Sequence, residues 1–327
     1  EALKHTNCVE IDKIGNVIVY KKGRTSKYKV MLSAHMDEVG LMITGYRDDG
    51  TLKFKTVGGI DERILLGKRV LVGEGKISGV IGCKPIHLQE KEERGKNIDL
   101  KDMYIDIGAE KKEEAEKLVP LGEYVAFCSN YMEYGKNCIK AKALDDRVGC
   151  SILLDLLGET YEFDLYICFT VQEEVGLRGA QVAGYKVNPD LAIVLEGTTC
   201  SDVPGVEKQD YSTILGDGAV LTIMDRTAYC DKELVNFIYE TAKKNNIKVQ
   251  FKKTTTGGND AGKIQSARSG VKVASISVPC RYIHSPVSLM DKRDYESCKN
   301  LTKLVLENLS GNEDMITRII NGGNQNV

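Results

Sequence analysis

VMLSAHMDEVGLMI, residues 30–43, opens as an apolar run, breaks into His35-Met36-Asp37-Glu38, and turns apolar again. Charged and imidazole groups are costly to bury without partners, so a core strand ending in His35 and Asp37 must have its end facing something polar. The run is apolar on both alternating faces, the pattern of a strand buried between two layers in a parallel sheet. Three other segments share the pattern: FDLYICFTV (163–171), DLAIVLE (190–196) and VKVASISV (271–278). Helical periodicity lies between them. DDRVGCSILLDLLGE places Val148, Ile152, Leu153 and Leu156 on one face behind an Asp at the N-cap. DKELVNFIYETAKKNN does the same with Leu234, Phe237, Ile238 and Thr241, and DYESCKNLTKLVLENL closes the chain in like manner. Alternating strands and helices predict an α/β fold, a mostly parallel sheet flanked by helices.

Residues 44–138 read differently. Short β-like runs and glycines dominate (TLKFKTVGG, KRVLVGEGKISGVIG, MYIDIGA, EYVAFCSNYMEY), with one helix signal, EKKEEAEKLV. A β-rich lobe inserted into an α/β domain formed by residues 1–43 and 139–327 is the expected organisation, and 327 residues is a length that suits two lobes.

Composition narrows the function classes. The hydrophobic fraction is 42%, the charged fraction 28% and the formal net charge -2, without a basic block, which speaks for a globular protein and against nucleic acid as a partner. No apolar run approaches the ~20 residues of a membrane helix. The ten cysteines form no C-x-x-C pair and mostly sit in apolar runs, which predicts reduced thiols used as small hydrophobes in a cytoplasmic protein. The opening EALKHTNCVEID does not read as a signal peptide and has no initiator Met, so a missing or processed N-terminal piece is expected.

The strand ends collect the polar chemistry. His35 and Asp37 end the first core strand; Asp145 and Asp146 open the helix after the lobe; Glu173 and Glu174 follow the second strand; Glu196 ends the third; His284 follows the fourth. Open α/β sheets place ligand sites at the carboxyl ends of their strands. Two of the four histidines fall in this set, and imidazoles converging with carboxylates suit divalent zinc, cobalt or manganese. Three carboxylate ligands and one hydroxide balance two divalent ions, and paired ions of this kind share a bridging carboxylate. Each residue alone has a structural alternative: a satisfied core histidine, a helix cap for the Asp145–Asp146 pair, a solvated turn for Glu173–Glu174. The conjunction is more specific than any member, because adjacent carboxylates at a buried strand end repel one another unless a cation or shared proton relieves them. The glycine-rich stretch 254–262 reads as a turn into a helix capped by Asp260, or as a loop whose Gly257 and Gly258 approach a substrate backbone.

With these residues in view, the chain resembles the M42 family of dinuclear metal aminopeptidases, the glutamyl and tetrahedral aminopeptidases. The likeness rests on GNVIV, SAHMDEVGLMI, KALDDRVGC, TVQEEVGLRGA, LEGTT, GGNDAG and CRYIHSPVS in the family order. It implies a zinc-peptidase-like α/β domain with an inserted PDZ-like lobe, removal of N-terminal residues from peptides by a dinuclear metal-activated hydroxide, and homodimers building toward a tetrahedral dodecamer. Carried over residue by residue, it implies His35, Asp145, Glu174, Glu196 and His284 as ligands of two divalent ions, zinc or cobalt first, with Asp145 bridging. It implies Glu173 as general base and Asp37 as the carboxylate that orients His35. Glu196 stands where many relatives have Asp, and Asn259 where many have Thr or Ser. The family's usual N-terminal helix is expected to be missing before Glu1.

One alternative comes from another class. Glycosidases work with two carboxylates and no metal, and some relatives have carried an endoglucanase label. The absence of tryptophan, the usual stacking partner of a sugar, argues against it. A purely structural metal site would have no use for a non-ligating base such as Glu173.

Overall fold

The computed structural model describes residues 1–92 and 94–322 and forms two compact units. The larger comprises Glu1–Asp37, Met132–Ile283 and Ser288 to the C-terminus; the smaller comprises Glu38–Tyr131 and His284–Val287. The smaller unit thus begins at Glu38 rather than at residue 44 and takes in His284 from the far end of the sequence. A boundary at 43/44 would fall inside the strand Gly40–Tyr46.

The larger unit is an α/β sandwich around an eleven-stranded sheet. Its centre is four parallel strands in the order Asp164–Thr170, Lys29–His35, Leu191–Thr199, Lys272–Arg281. These are the four segments whose apolar residues occupy both alternating faces. In the strand Lys29–His35, Val30, Leu32 and Ala34 enter the core on one side and Met31 the core on the other, all fully buried. The helices Leu144–Leu156, Lys232–Lys244 and Lys292–Ser310 cover the first side. Arg178–Val187 and Ala261–Gln265 cover the second through small residues such as Ala180, Ala183 and Ala261.

The sheet is mixed rather than mostly parallel. Beyond the central four strands pairing is mostly antiparallel: Val17–Lys21 and Val9–Ile11 on one flank, Ser288–Asp291, Cys138–Ala141 and Met132–Tyr134 on the other, and Ala219–Leu221 on Lys272–Arg281, with Val249–Phe251 added parallel to Ala219–Leu221. The flanking strands are three to five residues long and Met132–Tyr134 is wholly exposed, so they lack the two-sided apolar pattern that marks a buried parallel strand.

The smaller unit is a closed six-stranded barrel, ordered Gly40–Tyr46, Leu52–Val57, Tyr104–Asp106, Ile77–Gly82, Arg69–Val72, Tyr124–Phe127. It has its own core, with Leu41, Ile43, Leu52, Val72, Ile105 and Val125 inside. Alternation supplies it: Leu52 and Phe54 point inward while Lys53 and Lys55 are exposed. The helix Lys112–Leu118 packs on it through Ala115.

Candidate active site

His35 ends the central strand Lys29–His35 and is almost fully buried. Opposite it in register stands Thr170, the last residue of the neighbouring parallel strand. The chain leaves that strand in a tight turn, with Gln172 at φ +59°, that presents Glu173 and Glu174. Asp37 organises this turn: its two carboxylate oxygens accept the backbone N–H groups of Glu173 and Glu174, each at 3.1 Å. On the other side of His35, Asp145 and Asp146 begin the helix Leu144–Leu156. Asp146 is the residue that caps, accepting the N–H of Gly149 at 3.0 Å and the N–H of His35 at 3.2 Å. Asp145 is thereby released toward the imidazole.

His35 Nδ1 lies 3.1 Å from the Asp37 carbonyl oxygen and 3.5 Å from its carboxylate. A carbonyl only accepts, so Nδ1 carries a proton and Nε2 is the nitrogen turned to the cluster. Nε2 stands 3.3 Å from Asp145 Oδ1, 3.8 Å from Glu196 Oε2 and 3.9 Å from Glu173 Oε2. Donor atoms converge in three sets, each within 4.8 Å: His35, Asp145 and Glu174; His35, Glu173 and Glu196; Asp145, Asp146 and Glu196. His35, Asp145 and Glu196 each belong to two of them.

Glu196 does not end its strand as the sequence suggested; Leu191–Thr199 runs three residues further, and Glu196 is buried inside the sheet. The next residue must be small. A Cβ on Gly197 would lie 3.0 Å from Asp145 Cα, so glycine lets the helix start sit directly on the strand.

The electrostatics fit a cation site. Burial alone would lower the His35 pKa, but hydrogen bonds to Asp145 and Asp37 and the charge of Glu196 outweigh it and raise it well above the ordinary value. Burial pushes the Glu196 and Asp146 carboxyls well up, with Asp146 adding to the rise of Glu196 and Asp145 to that of Asp146. Burial, opposed by His35 and assisted by Asp260, Asp145 and Glu174, takes Glu173 to about 8. Asp37 moves the other way: burial would raise it, but the hydrogen bond and charge of His35 and the two turn N–H groups bring it below its usual value. Glu196 Oε1 is buried without a hydrogen-bond partner. Carboxylates that oppose one another's ionisation, around an imidazole and an orphaned oxygen, are a donor set that divalent ions would satisfy.

His284 belongs to the short segment His284–Val287 of the smaller unit, where its Nδ1 lies 2.8 Å from the Gly59 carbonyl oxygen. The same reasoning protonates Nδ1 and leaves Nε2 with its lone pair, the tautomer a metal-ligating histidine uses. The Gly257 carbonyl accepts the Arg226 N–H at 2.8 Å, and a Cβ on Gly258 would meet Thr227 at 2.3 Å, so these glycines serve a close approach to the segment 225–228. Sequence reasoning missed Thr170, Gly197 and the part played by Asp260; LEGTT was the signal that held Gly197.

The M42 glutamyl aminopeptidase family model matches residues 15–301. The chain belongs to this family. A lysyl aminopeptidase of Pyrococcus furiosus is 37% identical over 309 residues, 92% of this chain and 87% of that protein. An aminopeptidase structure from the archaeon Desulfurococcus kamchatkensis is 38% identical with a TM-score of 0.91, over 97% of this chain and 89% of the other. The Pyrococcus horikoshii TET1 peptidase, which assembles into a tetrahedron or a large octahedral shell, is 34% identical with a TM-score of 0.82, over 94% and 91% of the two chains. This M42 member is a metal-dependent aminopeptidase, a peptide hydrolase, and the glycosidase alternative is set aside. Among the described residues no helix is long and apolar enough to cross a membrane.

Proposed function

We propose that the chain releases N-terminal residues from peptides at a site holding two divalent ions, with Glu173 as the proton carrier. The observation that carries this is the convergence of His35, Asp145, Glu173, Glu174 and Glu196 donor atoms within overlapping sets of 4.8 Å. His35, Asp145 and Glu196 would hold one ion, and Asp145, Glu174 and His284 the other, with Asp145 shared; Asp145 shares one donor set with Glu174 and another with Glu196, the carboxylates given to the two ions, which supports this reading. Zinc or cobalt suits the mixture of imidazole and carboxylate best, with manganese also accommodated. Bound ions would supply the positive charge that polarises the scissile carbonyl and makes water acidic.

The remaining chemistry belongs to the chain. Burial and the neighbouring Asp260, Asp145 and Glu174 carboxylates raise the Glu173 pKa, which makes its carboxylate a stronger base than an ordinary one; bound ions would bring it back toward the range in which it takes a proton from water and returns it to the leaving amine at neutral pH. Asp37 fixes the turn that presents Glu173 and Glu174 and contacts His35 at Nδ1. The carboxylates of the site favour a substrate with a free, cationic amino group, which restricts cleavage to the first residue.

The test is a panel of aminoacyl-p-nitroanilides assayed with cobalt, zinc and manganese, before and after chelation. Activity should vanish with the metal and return on its addition. Glu173→Gln should keep both ions by elemental analysis and lose turnover by ~10²–10⁴-fold. Full turnover in the glutamine variant would remove Glu173 from its role.

A further inference from the structure

Asp260 stands at the start of the helix Ala261–Gln265, but its side chain makes no capping bond there. The carboxylate turns inward instead. It is fully buried, and Oδ2 accepts a 2.5 Å hydrogen bond from Thr170 Oγ1, while Oδ1 has no hydrogen-bond partner. A buried carboxylate with one oxygen unsatisfied is expensive to keep. Burial raises its pKa to about 6, against the opposing effects of His35 and Thr170.

What the bond holds is the strand end that precedes Glu173. Thr170 is the last residue of Asp164–Thr170, paired across from His35, and its carbonyl accepts the Met36 N–H at 2.7 Å. Its hydroxyl also lies 3.2 Å from the Ala34 carbonyl oxygen. Val171 is tied by its N–H to Asn16 Oδ1, and the N–H groups of Glu173 and Glu174 are tied to Asp37. Asp260 is therefore the side-chain anchor of the turn's root, while Asn16 and Asp37 hold its rim.

The anchor is itself fixed. The Asn259 N–H donates to Thr227 Oγ1 at 3.1 Å, Asn259 Nδ2 donates to Ser275 Oγ at 3.3 Å, and Asn259 Oδ1 accepts the Ala261 N–H at 2.9 Å. Gly262, like Gly258, is pressed on Thr227, where a Cβ would come within 2.6 Å. Thr227 is in turn held by Asp225, whose Oδ1 accepts its N–H at 2.7 Å. A rigid support of this kind suits a group whose task is to fix another in place.

We propose that Asp260 is a positioning residue of the peptidase reaction: through the Thr170 hydroxyl it fixes the strand end from which Glu173 is delivered to the substrate. The proposal rests on Glu173 as the proton carrier. It acts on the transition state rather than on binding, because a base displaced by a fraction of an ångström loses rate while the substrate contacts survive.

The experiment uses the full-length metal-loaded enzyme. Thr170→Val removes the hydroxyl and keeps the shape. It should lower kcat by about 10–100-fold, with KM within about twofold and metal content equal to the parent. Thr170→Ser should recover most of the rate. Asp260→Ala should lower kcat comparably, and the Thr170→Val/Asp260→Ala double variant should be no worse than the poorer single, since the two act through one bond. Glu173→Gln is measured in parallel. If it retains turnover, the proton-carrier reading has failed; if it loses turnover and Thr170→Val does not, the positioning role alone has failed. A loss in Thr170→Val that follows metal content, KM or the amount of folded protein, or that Thr170→Ser does not relieve, also overturns it.

Discussion

Asp294 shows how strongly burial acts on one carboxylate away from the active site. It lies in the first turn of the helix Lys292–Ser310, fully buried, and accepts the N–H groups of Gly216 and Gly218 at 2.7 Å each. Burial raises its pKa to about 6 in spite of those two bonds. A folded-state pKa above the unfolded value means stability that is complete below the unfolded pKa, near 4, and is lost as pH rises through about 6. Asp294→Asn removes that dependence. The parent should gain stability relative to the variant, on the order of 2 kcal/mol, between pH 7.5 and pH 4.5, read from urea unfolding at the two pH values. A parent-to-variant difference that does not change with pH would show that the carboxyl titrates alike in both states. At this scale the sequence was informative where a polar residue ended an apolar run, as with His35 and Glu196. It was mute where the partner is far away in sequence. Asp260 reads as a cap because the helix is adjacent, whereas its real partner, Thr170, lies 90 residues earlier and belongs to another strand. Asp145 and Asp146 are alike as neighbours in sequence, and the N–H groups of Gly149 and His35 mark Asp146 as the one that caps.

Between elements, the strand Leu191–Thr199 fits closely against the start of Leu144–Leu156. Gly197 makes it: the methyl group of alanine there would stand 3.0 Å from Asp145 Cα and 3.1 Å from Asp145 Cβ, atoms held by a buried helix start. Overpacking at such a contact commonly costs about 1–3 kcal/mol. Gly197→Ala should therefore push Asp145 away from His35 and Glu196, lowering metal content in equilibrium dialysis and kcat/KM by about tenfold or more, with the fold retained by circular dichroism. Normal metal affinity would mean that the helix start yields at no expense to Asp145. Elements were legible in proportion to how deeply they are buried. Four strands with two apolar faces and three long amphipathic helices stood out because burial writes a period of 2 or 3.6 into the sequence. The short antiparallel flanks carry no such record: Val9–Ile11 is mostly exposed and Met132–Tyr134 entirely so, and their pairing is dictated by neighbours rather than by their own residues.

At the scale of the molecule, the division into an α/β unit and a β-rich unit followed from composition, but closure of the second into a barrel did not. Closure depends on Tyr124–Phe127 pairing with both Gly40–Tyr46 and Arg69–Val72, contacts between segments too far apart for any local pattern to announce. The barrel poses a functional question of its own, because residues 38–131 contain none of the proposed ligands. Its surface is not that of an inert insertion: Ile86, Leu88, Leu121 and Tyr131 are each between 58% and 68% exposed. Apolar side chains exposed on a barrel whose strands carry none of the proposed ligands suit contact with another copy of the chain, and closed homo-oligomers are the usual outcome of self-complementary patches. The intact chain should then sediment as a homo-oligomer. A chain in which residues 38–131 are replaced by a short linker should sediment as a monomer, since the α/β unit has a core of its own to keep it folded. An intact chain that is monomeric at micromolar concentration would refute the assembly. A shortened chain that still assembles would move the contact from the barrel to the α/β unit.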